Sequence, residues 1–293
     1  MTEPAVRLDG SVPAVRFDDA SLAYGDRVVW ANLSLAVEPG SFVAILGPNG
    51  SGKTSLLRAI LGVTAVTSGR IQVLGGPPHR GNPGIGYIPQ AQAFDRDLPL
   101  RGRDLVGLGL DGHRWGIARP SRERRARVDA AIAAAGASAY ADAPIGRLSG
   151  GEQQRLRVAQ ALVGDPRLLL CDEPLAHLDL RYQQEVTELI AAWQQSTGRT
   201  VLFVTHDVNP ILSIVDRVLF VVNGRWAAGT PDEVLTSARL TDLYGSHVDV
   251  LRVHDRLLVV GDELSSGFEL EEPHHLPEVH DEPGGGAAAG MTP

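Results

Sequence analysis

The sequence predicts an α/β fold built on a mostly parallel sheet, and three observations carry that prediction. Short apolar runs of strand type ("FVAIL", "LLLC", "TVLFVT") alternate along the chain with helical segments, the order that folds as parallel strands joined by crossover helices. The first of these runs leads through a glycine-rich loop into a helical pattern. Before it, from Ala14 to Leu46, short apolar runs are broken by turns, which reads as mostly antiparallel sheet feeding one central strand.

Each element follows in order. "AVRF", "RVVW" and "LSLAV" supply the antiparallel part, and "EPG" (Glu38 to Gly40) turns the chain into Phe42–Leu46. Beyond the loop, "TSLLRAILG" has helical spacing, "SGRIQVLGG" reads as a strand, and "GIGYIPQ" as a strand ending in Gln90. Residues 119–136, "RPSRERRARVDAAIAAAG", predict a helix capped by Ser121 with Val128, Ile132 and Ala135 on one face. A second helix follows Gly150, then the strand Leu168–Cys171, the long amphipathic helix "RYQQEVTELIAAWQQS", and the buried strand Thr200–Thr205. "DVLRVHDRLLVV" reads as a hairpin about His254-Asp255. From Gly261 the composition turns acidic, Gly/Ala-rich and Pro-containing, which predicts disorder.

Charge and composition narrow the function. The 293-residue chain has a formal net charge of −8. Asp262, Glu263, Glu269, Glu271, Glu272, Glu278, Asp281 and Glu282 lie in the last 32 residues with no Lys or Arg among them, so residues 1–261 are formally neutral. A neutral body with an acidic tail is poor material for binding nucleic acid, which rests on phosphate neutralisation. No run approaches the roughly 18 apolar residues of a membrane span, and "MTEPAVRLDG" has no signal pattern. The lone cysteine, Cys171, excludes an internal disulfide and fits a reducing compartment.

The chemistry concentrates in three motifs. Gly47-Pro48-Asn49-Gly50-Ser51-Gly52-Lys53-Thr54 reads G-x-x-x-x-G-K-[ST], the phosphate-binding loop. Its glycines let backbone N–H groups approach phosphate oxygens, and the following helix adds its positive end. Lys53 is the only lysine beside 26 arginines. A compact ammonium can sit between β- and γ-phosphates as a point charge, where a planar guanidinium is bulkier. The hydroxyl of Thr54 suits Mg²⁺. "LLLCDEP" then ends an apolar strand with Asp172 and Glu173. Successive side chains there point different ways, so one carboxylate can hold the Mg²⁺ shell while the next polarises an attacking water. In "LSGGEQQR", a serine and two glycines precede a helix. That is a capping serine with a flexible turn, or a second anion site made of free first-turn N–H groups.

The phosphate loop, "YIPQ", "LSGGEQQR", "LLLCDEP" and "VTHD" occur in an order and spacing that resemble the ATP-binding subunits of ABC transporters, over roughly residues 14–245. The resemblance implies a P-loop NTPase core with a mostly parallel sheet, an N-terminal antiparallel β subdomain and an inserted helical subdomain at roughly 91–164. It sets residues 14–261 as the ATP-binding domain, between a flexible leader (1–13) and an acidic, His-containing disordered tail (262–293). It implies ATP and Mg²⁺ as cofactors and ATP hydrolysis as the activity. ATP would be held by Tyr24, stacked on adenine, and by Gly47, Asn49, Gly50, Ser51, Gly52, Lys53, Thr54 and Ser55. Thr54, Gln90 and Asp172 would arrange Mg²⁺, Glu173 would be the general base, and His206 would bond the γ-phosphate. Ser149, Gly150, Gly151 and Glu152 would act in trans on the ATP of a second, head-to-tail copy, with Asp179 at the seam.

Since the chain has no span of its own, the resemblance implies a transmembrane permease as partner, a homodimer of ATP-binding subunits, an extracytoplasmic solute-binding protein acting indirectly, and a peripheral place on the cytoplasmic face of the membrane. "D-x-D-[apolar]-P", "DLVGLG", "RPSRERR" and "VNPILSIVDRVLFVVNGR" are similar to the manganese, zinc and iron importers of the family. The alternative cargo is a ferric siderophore or haem. A soluble ABC ATPase acting on DNA or ribosomes is the reading from another class, disfavoured by one cassette without sustained heptads.

Two stretches depart from the family pattern: His177 stands where a small residue is common, and Arg101-Gly102 replaces a Thr/Ser-Val pair. Two features stay open. His274, His275 and His280 make either a zinc-sensing tail or incidental histidines in a solvated one. Arg119, Arg122, Arg124, Arg125 and Arg127 crowd a helix start, where positive charge is unfavourable; they face a permease or anionic leaflet, or form a solvated face.

Overall fold

Five consecutive apolar residues, Phe42 to Leu46, form a strand with no exposed position, and the fold is built outward from it. A computed structural model describes residues 12–90, 94–111, 121–254 and 256–261. The expected leader, apart from Val12 and Pro13, and the tail with its three histidines lie outside the described residues.

The first half of the chain runs β1 (Val15–Tyr24), β2 (Arg27–Val37), β3 (Phe42–Leu46), α1 (Lys53–Ile60), β4 (Ser68–Val73), β5 (Ile85–Ile88), α2 (Gly102–Asp111) and α3 (Arg122–Ala134). It continues through α4 (Gly150–Leu162), β6 (Leu168–Asp172), α5 (Leu180–Thr197), β7 (Thr200–Val204), β8 (Arg217–Val222) and β9 (Arg225–Gly229). Last come α6 (Pro231–Val234), α7 (Ser237–Tyr244), β10 (Val248–Val253) and β11 (Arg256–Gly261).

Six strands form the main sheet in the order β5-β6-β7-β3-β8-β9. All neighbours are parallel except β9, which runs antiparallel to β8. Strands of such a sheet are covered on both faces, hence their unbroken apolar runs. Side chains alternate between two cores: Phe42, Ala44 and Leu46 enter one and Val43 and Ile45 the other. The first core takes in α5 through Val186 and Ile190, α7 through Leu240 and Leu243, and the terminal hairpin through Val248 and Leu257. The second takes in α1 and the antiparallel sheet β2-β1-β4, where Trp30 meets Phe17 edge-on at 6.2 Å.

A third core binds α2, α3 and α4 into a helical lobe. Ser121 caps α3 by accepting from Arg124 N at 3.0 Å, and Val128, Ile132 and Ala135 are buried as the spacing predicts. The arginines of α3 divide by partner. Arg127 donates to Val163 O at 3.0 Å, placing a cation on the C-terminal end of α4, where the helix dipole favours it. The Arg124 guanidinium lies over Gly107 of α2. Arg122 and Arg125 are exposed, and Arg119 lies outside the described residues. Arg103 crosses from α2 to Asp129 at 2.6 Å and Asp142 at 2.5 Å; its hydrogen bond holds the Asp142 carboxyl below the usual carboxylate range.

The structure differs from the sequence reading in three places. "RVVW" and "LSLAV" are one continuous strand, β2, whose pairing with β1 slips by bulges. Gln90 lies two residues beyond the end of β5, not within it. "RWAAG" is a strand, β9. Among the described residues, no helix is long and apolar enough to cross a membrane.

Gly102 also has a packing reason. A β-carbon there would lie 2.7 Å from Leu156 Cδ1 and 3.0 Å from Ala141 O, so α2 lies too close to α4 for a side chain. Gly102→Val should destabilise the chain by about 1–3 kcal/mol, read as a lower urea midpoint at constant m; an unchanged midpoint would show that the lobe yields freely.

Candidate functional site

The phosphate loop takes its shape from close packing at its first and last glycines. A β-carbon on Gly47 (φ 144) would sit 2.0 Å from Val221 O of β8. One on Gly52 (φ 99) would sit 2.2 Å from Val29 Cγ1 of β2. Both require glycine, in conformation and in space. Lys53 is 5% exposed, and its Nζ donates to Gly47 O at 2.8 Å and Pro48 O at 2.9 Å. Burial pulls its pKa down, against the opposing fields of Glu173 and Asp172. Ser51 Oγ is buried with no partner among the described residues, an unmet donor inside the loop of the kind a phosphate oxygen satisfies.

The C-terminal ends of β3, β6 and β7 are neighbours, and this brings the predicted residues together. At the end of β6, Asp172 accepts from Thr54 Oγ1 at 3.0 Å and from Tyr87 OH at 3.3 Å. Burial raises the Asp172 pKa and these two hydrogen bonds oppose it. Tyr87 is pushed up to about 12 by burial first, then by the Asp172 charge and bond, so it stays a donor. Glu173 leaves the strand with φ 47, its N–H held on Val204 O at 3.0 Å. The turn carries its carboxylate away from Asp172 to Gln90, whose Nε2 donates to Oε2 at 3.3 Å. His206 is exposed just past β7. Before it, Thr205 N donates to Ile45 O of β3 at 3.2 Å.

Tyr24 ends β1 and is 50% exposed. Across the two-residue turn from Tyr24, Arg27 Nη2 donates to Gly50 O at 3.2 Å, tying the hairpin tip to the phosphate loop. Sequence reasoning assigned no role to Arg27 or Tyr87. Tyr87 owes its place to the structure's strand order: β5 pairs in parallel with β6, Tyr87 opposite Leu170, so "YIPQ" and "LLLCD" run side by side. Nothing in the sequence marks Arg27.

A second cluster stands apart. Ser149 caps α4 through a capping box: Glu152 N donates to Ser149 Oγ at 3.3 Å, and Ser149 N donates to Glu152 Oε2 at 2.8 Å. The two glycines differ. A β-carbon on Gly150 would meet nothing nearer than Leu178 Cδ2 at 4.0 Å, whereas one on Gly151 would strike the Tyr182 ring at 2.2 Å. Gly150 is therefore open to an approaching group, and Gly151 serves packing against α5. Asp179 caps α5 by accepting from Tyr182 N at 2.9 Å, and the next residue, Leu180, is 75% exposed. Among the described residues, no hydrogen bond joins this cluster to the phosphate loop. His177 has φ 61, a conformation that glycine adopts at least cost and that histidine adopts more readily than most other side chains. A cleft of about 860 Å³ opens beside it, not on the phosphate loop, between Phe94, Arg147, Leu148, Gly150 and Arg157; the Arg157 guanidinium lies 4.6 Å from the Phe94 ring centroid.

A glycine cradle closed by a buried ammonium, a hydroxyl–carboxylate pair, and a separate carboxylate at the strand ends define a nucleotide-hydrolysing protein of the P-loop class. The ABC transporter family profile matches residues 30–176. The chain is 35% identical to the zinc transport system ATP-binding protein TroB of Treponema pallidum, over 80% of its own length and 88% of the relative's. It is 33% identical to the manganese transport system ATP-binding protein MntB of Bacillus subtilis, over 84% and 98%. Among solved structures it is similar to an ABC transporter assigned to the metal-chelate type, in an inward-facing conformation (TM-score 0.72, 26% identity, 85% of this chain and 98% of that one). It is also similar to the dimeric ADP- and phosphate-bound cassette MJ0796 (TM-score 0.62, 27%, 73% and 97%). The chain belongs to the ABC transporter family and is an ATP-binding, ATP-hydrolysing member of it.

Lys53 is the sharpest test of the cradle. Lys53→Arg keeps the charge but cannot seat a guanidinium between two carbonyls less than 3 Å away. ATP affinity measured by calorimetry should fall at least about tenfold, or about 1.4 kcal/mol, and near-normal affinity would refute the fit.

Proposed function

We propose that this chain is the ATP-hydrolysing subunit of a membrane importer for a divalent metal, zinc or manganese, and that it works as a head-to-tail homodimer on the cytoplasmic face of a permease. The observation that carries the hydrolytic half is the split between two adjacent carboxyls: Asp172 buried against Thr54, Glu173 turned out toward Gln90. The metal half is supported by relatives named for zinc and manganese transport. On this reading residues 14–261 are the ATP-binding domain, with the helical lobe inserted in it.

The donors suit Mg²⁺. Thr54 and Asp172 offer two hard oxygens 3.0 Å apart, and the Gln90 carboxamide oxygen can supply a third. When bound, Mg²⁺ would neutralise charge on the β- and γ-phosphates. The chain's own residues do the rest. Lys53 exchanges its two carbonyl partners for phosphate oxygens, and backbone N–H groups from Asn49 to Ser55 line the cradle. Tyr24 stacks on adenine from the hairpin tip that Arg27 ties to the loop. Glu173 takes the proton of the attacking water as its oxygen bonds to the γ-phosphorus, and the bond from that phosphorus to the bridging oxygen breaks to release ADP. His206 bonds a γ-phosphate oxygen and keeps the water in line. Gly150 and Gly151 supply anion-binding N–H groups to the partner copy's ATP, with Ser149 and Glu152 fixing the turn through their capping box, and Asp179 with Leu180 lies at the seam. The helical lobe and its cleft would receive the permease, with a solute-binding protein on the far side of the membrane.

Glu173→Gln should keep ATP binding, accumulate an ATP-bound dimer on gel filtration and slow hydrolysis by at least about 10²-fold; undiminished turnover removes Glu173 as base. In cells lacking the chain, metal-limited growth should selectively deplete zinc or manganese. The intact gene should restore the metal and the Glu173→Gln gene should not. Unchanged divalent metals would overturn the cargo reading.

A further inference from the structure

One polar side chain with no part in the reading above joins the hydrolytic end of the sheet to the last element of the fold. Asn209 N and Nδ2 donate to Asp207 Oδ1 at 2.9 and 2.8 Å. Nδ2 also donates to Leu257 O at 3.0 Å, and Oδ1 accepts from Leu257 N at 2.8 Å. The amide therefore spends both hydrogens and its oxygen in one fixed orientation. A flip would set its oxygen against a carboxylate and a carbonyl.

The bonds reach both ways from His206. On one side Thr205, 5% exposed, is pinned to Ile45 O of β3, and its hydroxyl donates to Asp207 O at 2.7 Å while accepting from Asp207 N at 3.1 Å. On the other side the Asp207 carboxylate is pinned by Asn209 to β11, whose Leu257 is itself buried in the first core. The local turn needs only the Asp207–Asn209 N bond. The amide pairing with Leu257 does more: it copies a strand's donor and acceptor on the edge of β11, 48 residues away in sequence.

We propose that Asn209 is a positioning residue for ATP hydrolysis, clamping Asp207 to the C-terminal hairpin and so holding His206 where it meets the γ-phosphate. This rests on the role given to His206 above. With the clamp gone, the cradle of Lys53 and Thr54 is untouched, so nucleotide still binds, but the segment carrying His206 is held at one end only.

Steady-state ATPase on the purified full-length chain separates the possibilities. Asn209→Ala should lower kcat by about 10- to 100-fold, the scale of a small misplacement at a reacting centre. KM for ATP should stay within about twofold, since ground-state binding is not lost. Asn209→Asp, nearly isosteric, serves if the alanine variant does not fold. It loses the amide donor and should show the same split of kcat from KM. His206→Ala, run in parallel, should also lower kcat. Normal kcat in either Asn209 variant while His206→Ala is impaired would overturn the clamp alone. Normal kcat in His206→Ala would overturn the His206 reading and the clamp with it. A rise in KM at constant kcat would show that Asn209 serves binding, and would overturn the proposal too.

Discussion

A buried ammonium held by the carbonyls of its own loop is the constraint on which the rest of the site depends. Lys53 can be buried only because Gly47 O and Pro48 O turn inward to meet it. They turn inward only because Gly47 adopts a backbone conformation with no room for a side chain beside Val221 O. That contact requires β8 to lie directly against β3, as the sheet order has it. An unpaired ammonium at this depth would cost several kcal/mol. The loop therefore holds one shape, with Ser51 Oγ left unmet inside it.

From this anchor, the difference between the two acids follows from one backbone angle. Asp172 is the last residue of β6 and keeps its strand direction into the sheet's end, where Thr54 and Tyr87 solvate it. Glu173, at φ 47, breaks that direction. Had the strand continued, the second carboxylate would still have pointed to the opposite face, but into the packed core rather than toward Gln90. A pair of like acids thus gains two environments, and two environments separate two chemical roles.

How much of this was legible depended on range. Runs such as Phe42–Leu46 and Leu168–Cys171 admit no exposed face, so they announced central parallel strands without any contact information. Short-range motifs located the cradle, both acids and the Ser149 cap, because the residues that mark each are neighbours in sequence, although the packing that shapes the cradle, against Val221 O and Val29 Cγ1, is long-range. β9 was missed although Asn223-Gly224, at φ 49 and 76, is a strong hairpin turn; "RWAAG" offers little of the β-branched content that marks a strand. β2 reads as two runs because bulges interrupt its alternation. Arg27 on Gly50 O and Asn209 on Leu257 were beyond reach, since a polar side chain does not declare a backbone partner that only the fold brings near.

The exposed cluster at α4 gives the fold its last consequence. Gly151 and Asp179 are explained within one chain, by the Tyr182 ring and the α5 N-terminus. Ser149 and Glu152 satisfy one another. Gly150 is explained by neither, since nothing crowds its missing side chain. On the proposed reading it keeps the α4 N-terminus bare so that a phosphate held elsewhere can approach the free N–H groups. Among the described residues the chain's own phosphate loop makes no hydrogen bond to that end, and on the same reading each copy carries a cradle without its cover and a cover without its cradle. On the proposed reading, a two-fold arrangement would join the unmatched halves and complete two sites at once, because such an interface is the same from either side.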